Sequence, residues 1–293
     1  MLAIAALLLP AVSCKKTPAN QVPANIPTPE NEIHQTKLDF AKASSDVLTK
    51  DGEKVETIEL TGGKKYLGTL SKDGKKTVKI GKYTVKAAKA SAGYTYELEG
   101  LGTITIKVQS GGNYDVTADL GGGAVDVTVT EATRVNTSGN FAAAFQDWTV
   151  KSVTVNVTGD GIPAGISKTF TGCDLLEIAN YVKSMNVSLN ESVLEKLQGY
   201  SVTGVSLSAF GTFAIDFASK PAFVGSYSGF NPAAGSFQYK FESFDENLLI
   251  SGAADGVLTW VNGDLVLSIT GNVTYNESKT YKAILGFVLA PAK

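Results

Sequence analysis

The side chains that most often carry out catalysis or bind metals are scarce in this chain. It contains one histidine, His34, and two cysteines, Cys14 and Cys173. A Ser-His-Asp set or a Cys-His pair would have to use His34, which lies in a polar, proline-rich segment. No Cys or His cluster has the spacing of a zinc site, and no calcium-loop motif is present. We therefore expect no catalytic residue, no bound metal and no cofactor.

Paired carboxylates are the remaining route to an enzyme, because two acids that flank a glycosidic bond can hydrolyse it. Asp115 with Asp119, and Glu242 with Asp245, are close enough in sequence to be considered. Carboxylates at such spacings are common, so they carry no specificity, and an enzyme is the least favoured hypothesis. Cys173 has no partner of suitable chemistry and is expected to be a small buried apolar residue.

Lysines are concentrated in one stretch. Between residues 64 and 89 there are nine lysines and a single acidic residue, Asp73. Such lysines can protect exposed strand edges and lie in water, or contact an anionic surface such as lipid headgroups, lipopolysaccharide or an acidic glycan. The lysines that could make that contact are Lys64, Lys65, Lys72, Lys75, Lys76, Lys79 and Lys82. The net charge of −2 argues against nucleic acid as a partner of the whole chain.

Aromatic residues are concentrated in the second half of the chain. Of 26 aromatic residues, 20 follow residue 140, including both tryptophans. In two stretches they alternate with other residues, which places each set on one face of a strand. Such faces can fill a barrel core or line a pocket for an apolar or amphipathic ligand. The candidate lining residues are Trp148, Phe213, Phe217, Phe237, Tyr239 and Phe241.

The first sixteen residues have the pattern of an export signal. An apolar run, residues 1–13, ends in small residues and is followed by Cys14 and two lysines. The run is too short to span a bilayer, which takes about 20 residues, and it fits the apolar region of a signal peptide. The segment resembles the signals of bacterial lipoproteins, in the style of those from Bacteroidetes. The resemblance implies cleavage before Cys14, a lipid on Cys14, and attachment to a membrane of the cell envelope, with the outer membrane expected.

Composition divides the rest of the chain into three parts. Residues 14–45 begin with the cysteine of this resemblance, carry four closely spaced prolines, and are predicted to be an extended tether. Residues 46–138 and 139–293 are predicted to be two domains, because the aromatic content rises sharply between them. Each of the two domains is long enough to bury a core of its own.

Residues 46–138 are predicted to be an all-β domain. Several segments alternate apolar and polar residues and are rich in β-branched side chains, which is typical of half-buried antiparallel strands. Glycine-rich turns separate them, and Asp73-Gly74 between lysines is the clearest hairpin signal. The predicted strands are residues 55–60, 77–80, 94–98, 103–108 and 126–130.

Residues 139–293 are predicted to be a second β domain that carries two helices. Trp148 opens a long alternating strand, Asp174 can cap a first helix, and a second helix follows around Val193–Leu197. After Gly199 the pattern predicts seven further strands. About eight strands joined by hairpins favour an antiparallel barrel or a curved meander, with the two helices inserted after its first strand.

A second resemblance points to the same architecture. Gln146-Asp147-Trp148 resembles the start of the first strand in lipocalins, which begins with a tryptophan, and the number of strands is similar. The region is also similar to the lipocalin-like C-terminal halves of Bacteroidetes lipoproteins. The resemblance implies a lipocalin-like fold and carries no function by itself.

These observations favour a non-enzymatic lipoprotein of the cell envelope that binds or scaffolds an apolar or amphipathic ligand. The alternative is a surface glycan-binding or adhesive accessory lipoprotein. That alternative requires exposed aromatic side chains, with Trp260, Tyr227 or Tyr275 on the surface rather than inside. The direction in which these rings point therefore separates the two hypotheses.

Overall fold

A computed structural model shows that the chain is mainly β. Two antiparallel barrels follow one another in the sequence, which confirms the predicted fold class. The structure describes residues 35–86, 93–108, 113–135, 139–159, 162, 167–185, 191–220, 222–242, 251–275 and 279–292. The predicted signal, Cys14 and most of the predicted tether lie outside the described residues.

The first barrel has eight strands in simple sequence order. Each strand pairs with the next, and the first strand pairs with the eighth to close the barrel, with Leu38 opposite Glu131. Asp73 and Gly74 have φ of 52° and 76°, so the predicted hairpin turn between the third and fourth strands is confirmed. The strands are β1 Thr36–Asp39, β2 Lys54–Leu60, β3 Lys65–Lys72, β4 Lys75–Lys86, β5 Tyr94–Leu98, β6 Gly102–Val108, β7 Asn113–Asp119 and β8 Ala124–Glu131.

The start of the first barrel corrects the predicted domain boundary. Residues 36–39 lie within the predicted tether of residues 14–45, but they form β1 and pair with β2 and β8. Leu38 and Phe40 are buried in the core of the first barrel. Burial of these two side chains offsets the entropy lost on ordering the segment, so the chain is already folded well before residue 46.

The second barrel is built from the remaining strands and carries the helices. The sheet runs β10-β9-β11 and then in sequence order to β17, which pairs with β9 and closes the barrel. The two helices follow the first long strand, as predicted, but the short strand β10 comes between. A 3₁₀ helix spans Gly139–Ala144. The other elements are β9 Asp147–Gly159, β10 Ser167–Phe170, α1 Leu175–Ser184, α2 Glu191–Lys196, β11 Val202–Leu207, β12 Thr212–Phe217, β13 Phe223–Asn231, β14 Ser236–Glu242, β15 Ser251–Val261, β16 Asp264–Tyr275 and β17 Lys279–Pro291.

Asp174 caps α1, as the sequence predicts. Its Oδ1 accepts hydrogen bonds from the backbone N–H groups of Leu176 at 2.9 Å and Glu177 at 3.1 Å. These donors lack partners inside the helix, so the carboxylate stabilises the helix start. The second oxygen, Oδ2, accepts from the hydroxyl of Ser201 at 3.0 Å. The cap therefore also holds α1 beside the start of β11.

The two barrels pack side by side through the outer faces of their strands. Leu67, Val78 and Ile80 of the first barrel meet Ala214 and Val224 of the second in one apolar cluster. We call this interface the domain joint. Burial of apolar area at the joint favours the docked arrangement.

Hydrogen bonds also cross the domain joint. The Gln35 side chain donates from Nε2 to the carbonyl of Phe145 at 3.0 Å and accepts at Oε1 from the N–H of Ala209 at 2.8 Å. The hydroxyl of Thr61 donates to Asp147 Oδ2 at 3.0 Å. Because these groups are buried and are satisfied only when the barrels are docked, the joint is specific as well as apolar.

Candidate functional site

The residues considered for catalysis do not come together among the described residues. No group of three or more His, Cys, Asp or Glu side chains that could hold a metal ion occurs there. His34, Cys14, Asp245 and the side chain of Glu242 lie outside the described part of the chain. Asp115 lies on the outer face of β7, where its Oδ1 accepts from Thr128 at 3.0 Å.

Cys173 is buried, as predicted. Burial raises the pKa of its thiol, which disfavours the reactive thiolate form. The side chain belongs to the core cluster of the second barrel. Its environment is that of a packed apolar residue.

The candidate ligand-lining residues are brought together inside the second barrel. Trp148, Phe213, Phe217 and Phe237 are buried members of one continuous apolar cluster, and Tyr239 packs against it. The side chain of Phe241 lies outside the described residues. Alternation along β12 and β14 therefore predicts correctly which residues face inward.

The rings in this interior contact one another. Phe217 lies 4.5 Å from Phe223 and 5.1 Å from Tyr200 between ring centroids, and both pairs are edge-to-face. Tyr227 and Phe237 form a similar pair at 5.3 Å. Such contacts give the rings the partners that a packed core provides. Three cavities lined by described residues lie elsewhere: on the outer face of β7 and β8, beside the β3–β4 turn, and in the domain joint.

The lysine-rich stretch forms the β3–β4 hairpin, and acids from other parts of the fold meet many of its charges. Lys76 Nζ lies 2.6 Å from Glu56 and Lys79 Nζ lies 3.6 Å from Glu53, both acids being in or beside β2. Ion pairs that are partly exposed contribute little to stability. They do balance charge, however, so the hairpin is less basic than its sequence alone predicts.

The other five candidate lysines differ in their contacts and exposure. Lys65 forms an ion pair with Asp216 across the domain joint. Lys72 Nζ donates to the carbonyl of Asp51 at 2.6 Å. Lys64, Lys75 and Lys82 are exposed. The contact with an anionic surface stays a prediction, and it would rest chiefly on these exposed lysines.

A groove of about 450 Å³ lies at the tip of this hairpin and is lined by both signs of charge. Lys54, Lys72 and Lys76 face it together with Glu56 and Asp73. The hydrogen bond from Lys76 holds the pKa of the Glu56 carboxyl below its usual range. An anionic ligand in the groove would therefore have to compete with Glu56 for Lys76.

The three aromatic residues that separate the two functional hypotheses differ in position. Tyr227 is buried, and its hydroxyl donates to the carbonyl of Ser208. Burial, together with the nearby charge of Glu59, raises the pKa of Tyr227, so its phenol stays protonated. The side chain of Tyr275 lies outside the described residues. Trp260 is 36% exposed, which is the arrangement that the glycan-binding hypothesis requires.

Trp260 is held in a fixed orientation at the end of the second barrel. Its Nε1–H donates to the carbonyl of Asn140 at 2.9 Å, and its ring lies edge-to-face with Trp148 at 6.0 Å. On the same strand, Val257 and Val261 are exposed by 38% and 47%. Successive side chains of a strand point to opposite faces, so these two valines lie on the outer face of β15, whereas Trp260 lies on the inner face, opposite the buried Leu265. The exposed indole of Trp260 is therefore a candidate contact by itself.

Neither a comparison with protein-family models nor a comparison with curated proteins finds a match for this chain. Within the described residues, no helix is both long enough and apolar enough to cross a bilayer.

The domain joint is the feature that the sequence does not predict. Gln35 lies in the predicted tether, and Glu59 occupies a polar position of a predicted strand that would ordinarily face water. In the structure both are buried between the barrels. One weak signal in the sequence is Asp147, which directly precedes the tryptophan at the start of β9. An aspartate that is buried beside such a residue requires a hydrogen-bond donor from another part of the chain.

Proposed function

We propose that this protein is a non-enzymatic, lipid-anchored protein of the cell envelope that acts through its outer surface as a glycan-binding or adhesive accessory protein. The observation that carries the proposal is the exposed, oriented indole of Trp260 at the end of the second barrel. A sugar ring has an apolar face of C–H groups that stacks on an indole. An indole whose N–H is already bonded loses little conformational freedom on binding.

The packing inside the second barrel supports this proposal over an apolar carrier. The candidate lining residues Phe213, Phe217 and Phe237 are buried and contact other rings. A carrier needs an enclosed apolar space that excludes the protein's own side chains. The carrier hypothesis stays a prediction, and an apolar molecule that co-purifies with the protein would favour it.

Attachment to the membrane is the second part of the proposal and rests on the sequence around Cys14. Replacing Cys14 by Ala should release the protein from the membrane fraction, because a lipid on this cysteine is the proposed anchor. Fractionation of cells and mass spectrometry of the mature N-terminus measure this. A native protein without a lipid mass, or a variant that stays in the membrane fraction, contradicts the anchor.

The surface-binding proposal is tested by Trp260→Ala. Binding of the purified protein to a panel of immobilised neutral and acidic envelope polysaccharides should weaken by a factor of about 30 or more, the loss typical of an aromatic hot spot. Leu48→Ala is the matched control, because Leu48 is 40% exposed and lies on the first barrel. Circular dichroism checks that both variants are folded.

Three outcomes decide between the hypotheses. Loss of binding in Trp260→Ala with normal binding in Leu48→Ala supports the Trp260 indole as the glycan site. Equal binding in both variants and the parent protein contradicts it. Absence of polysaccharide binding together with an apolar ligand in native mass spectra of the parent protein would replace the proposal by the carrier hypothesis.

A further inference from the structure

A small cavity lies in the domain joint and is enclosed by both barrels. Its volume is about 10 Å³, which is close to the smallest space that holds one water molecule. The surface of its wall is mainly apolar, but five of the eight lining residues carry a hydroxyl or a carboxylate. The lining residues are Glu59, Thr61 and Leu67 of the first barrel, and Ser206, Leu207, Ser208, Thr212 and Ala214 of the second.

Two buried polar side chains in this wall each carry an oxygen that has no hydrogen-bond partner among the described residues. Glu59 is 1% exposed, and only its Oε2 is engaged, accepting from the hydroxyl of Thr212 at 2.9 Å. Its other oxygen, Oε1, has no partner. Ser206 is 6% exposed, and its Oγ likewise has none. Buried polar groups left in this condition are costly and are rare in folded proteins.

We propose that the joint cavity is a binding site for a single water molecule that links Glu59 of the first barrel to Ser206 of the second. The water donates one hydrogen bond to Glu59 Oε1 and forms a second with Ser206 Oγ. Both side chains line the same cavity, and its size admits one such molecule. A bridging water satisfies both groups with the two bonds that an internal water needs.

The charges around the cavity exclude a metal ion as its occupant. The ammonium of Lys37 lies 3.6 Å from Glu59 Oε2 and already balances that carboxylate. A second cation would lie close to Lys37 in a poorly solvated space and be repelled. Calcium also takes six or more oxygen ligands, and the described residues contain no cluster of three metal-binding side chains. The occupant is therefore neutral.

The water completes a polar network that spans the domain joint. Two hydrogen bonds already join a hydroxyl of one barrel to a carboxylate of the other: Thr212 donates to Glu59, and Thr61 donates to Asp147. The bridge to Ser206 adds a further link between the barrels. Separation of the barrels would open the cavity, so the lifetime of the bound water follows the lifetime of the docked state.

A high-resolution crystal structure of the unmodified protein tests the site directly. We expect one ordered water within hydrogen-bond distance of Glu59 Oε1 and Ser206 Oγ. Water-oxygen magnetic relaxation of the protein in solution should show the same molecule exchanging far more slowly than surface water. A dry cavity, a cation in it, or a direct bond between Glu59 and Ser206 overturns the proposal.

A double-mutant cycle tests the link through energetics. Glu59→Gln and Ser206→Ala should be coupled: their combined effect on the unfolding equilibrium constant should differ from the product of the single effects by about threefold or more. Glu56→Gln with Ser206→Ala is the control, because Glu56 lies on the same strand but faces the hairpin groove. The effects of these two control substitutions on the unfolding equilibrium constant should simply multiply.

The two tests are required together. Multiplicative effects for Glu59→Gln and Ser206→Ala, measured on folded variants, overturn the bridge even if a water is seen. If Glu59→Gln does not fold, Ser206→Val takes its place: its larger side chain fills the cavity, and the slowly exchanging water should disappear from the relaxation signal. Retention of that signal in folded Ser206→Val overturns the proposed site.

Discussion

The two barrels differ in the aromatic residues that pack their cores. Of the six aromatic residues before residue 141, five are tyrosines, whereas 12 of the 20 that follow are phenylalanines. In the first barrel, Tyr66 and Tyr83 are buried, and their hydroxyls donate to the carbonyls of Glu99 and Thr61, each at 2.6 Å. Rings in the second barrel mostly contact other rings.

The two barrels nevertheless share one packing arrangement. In each barrel a buried ring covers a glycine directly opposite on the neighbouring strand: Tyr66 over Gly81 in the first, and Phe237 over Gly256 in the second. A Cβ at Gly81 would lie 2.6 Å from Tyr66 Cε1, and one at Gly256 would lie 2.4 Å from Phe237 Cζ. The glycines are needed for space, because neither has a positive φ.

Whether a buried ring carries a hydroxyl depends on which groups lie at the end of that ring. The Tyr66 ring reaches the carbonyl of Glu99 in the turn between β5 and β6, so the added oxygen gains a hydrogen bond. Phe237 packs against Tyr227 and Phe230, where a hydroxyl would need a partner inside an apolar cluster. Polar atoms are tolerated inside a barrel only where a partner is within reach.

The largest expected effect is loss of a ring from the second barrel. Phe237→Ala should lower the free energy of unfolding by about 3–5 kcal/mol, because the ring is buried in a packed cluster. Chemical denaturation followed by tryptophan fluorescence reports on the second barrel, which holds both tryptophans. Val257→Ala, at an exposed position of the next strand, is the control and should cost far less.

The same experiment tests whether the barrels unfold together. Circular dichroism reports on both barrels, and docking at the joint predicts that its midpoint shifts with the fluorescence midpoint. A separate transition of unchanged midpoint would show that the first barrel is stable alone. A small loss in Phe237→Ala, accompanied by a co-purifying apolar molecule, would place this ring at the border of a ligand cavity.

Filling the space beneath the covering rings should have the next largest effect. Gly256→Ala and Gly81→Ala should each destabilise the protein by about 1–3 kcal/mol, because the added methyl overlaps a buried ring. Gly271→Ala is a matched control, since a Cβ at that strand glycine meets no atom within 4 Å. Denaturation midpoints measure all three. Equal behaviour of Gly256→Ala and Gly271→Ala would mean that the Phe237 ring moves aside without cost.

Removing one hydroxyl should have a smaller effect that is confined to the first barrel. Tyr66→Phe should cost about 1 kcal/mol, because the ring is kept while the bond to the carbonyl of Glu99 is lost. Tyr83→Phe should behave alike, since its hydroxyl bonds the carbonyl of Thr61. Thermal or chemical denaturation measures both. Unchanged stability in both variants would indicate that these rings contribute through packing alone and that their hydroxyls add nothing to stability.

The smallest effect should come from surface ion pairs, and it should be alike in the two barrels. Lys76 pairs with Glu56 in the first barrel and Lys151 pairs with Asp264 in the second, each at 2.6 Å. Replacing either lysine by Ala should change stability by less than about 1 kcal/mol. A loss well above that from one lysine only would show that its pair is shielded from solvent.

Lys76→Ala should also change a titration. The lysine lowers the pKa of Glu56, so the variant should raise that pKa towards its ordinary value, as measured by NMR titration of the carboxyl. A lowered pKa contributes stability above the unfolded-state pKa, and that contribution is lost as pH falls through the folded-state pKa. The stability difference between parent and variant should accordingly shrink in acid.

The strands of the second barrel can largely be predicted from the sequence, and those of the first only in part. Inward rings such as Phe213 and Phe217 alternate without interruption, so the period-two signal is strong. In β3 the signal is lost, because Tyr66 faces the core while its neighbour Leu67 is buried against the second barrel. Burial on both faces removes the alternation that marks a strand.

The candidate sites can likewise be predicted from the sequence only in part. Alternation places the candidate lining residues together, but it cannot say whether they surround a ligand or one another. The acids that pair with the lysine hairpin come from β2 and from Asp216 of the other barrel, and only the fold brings them there. The joint depends on Gln35, more than a hundred residues from its partners Phe145 and Ala209.

The pair of strands that closes each barrel, called its seam, affects the order in which the barrel's strands can assemble. In the second barrel β17 runs along β9, with Pro291 opposite Trp148, so the seam joins the two ends of the domain's sequence. Pairings between distant residues form slowly, because the loop between them must be closed first. The first barrel, whose seam ends at Glu131, can complete its circle while β17 is still unplaced. We therefore expect the pairing of β17 with β9 to set the rate at which the second barrel assembles.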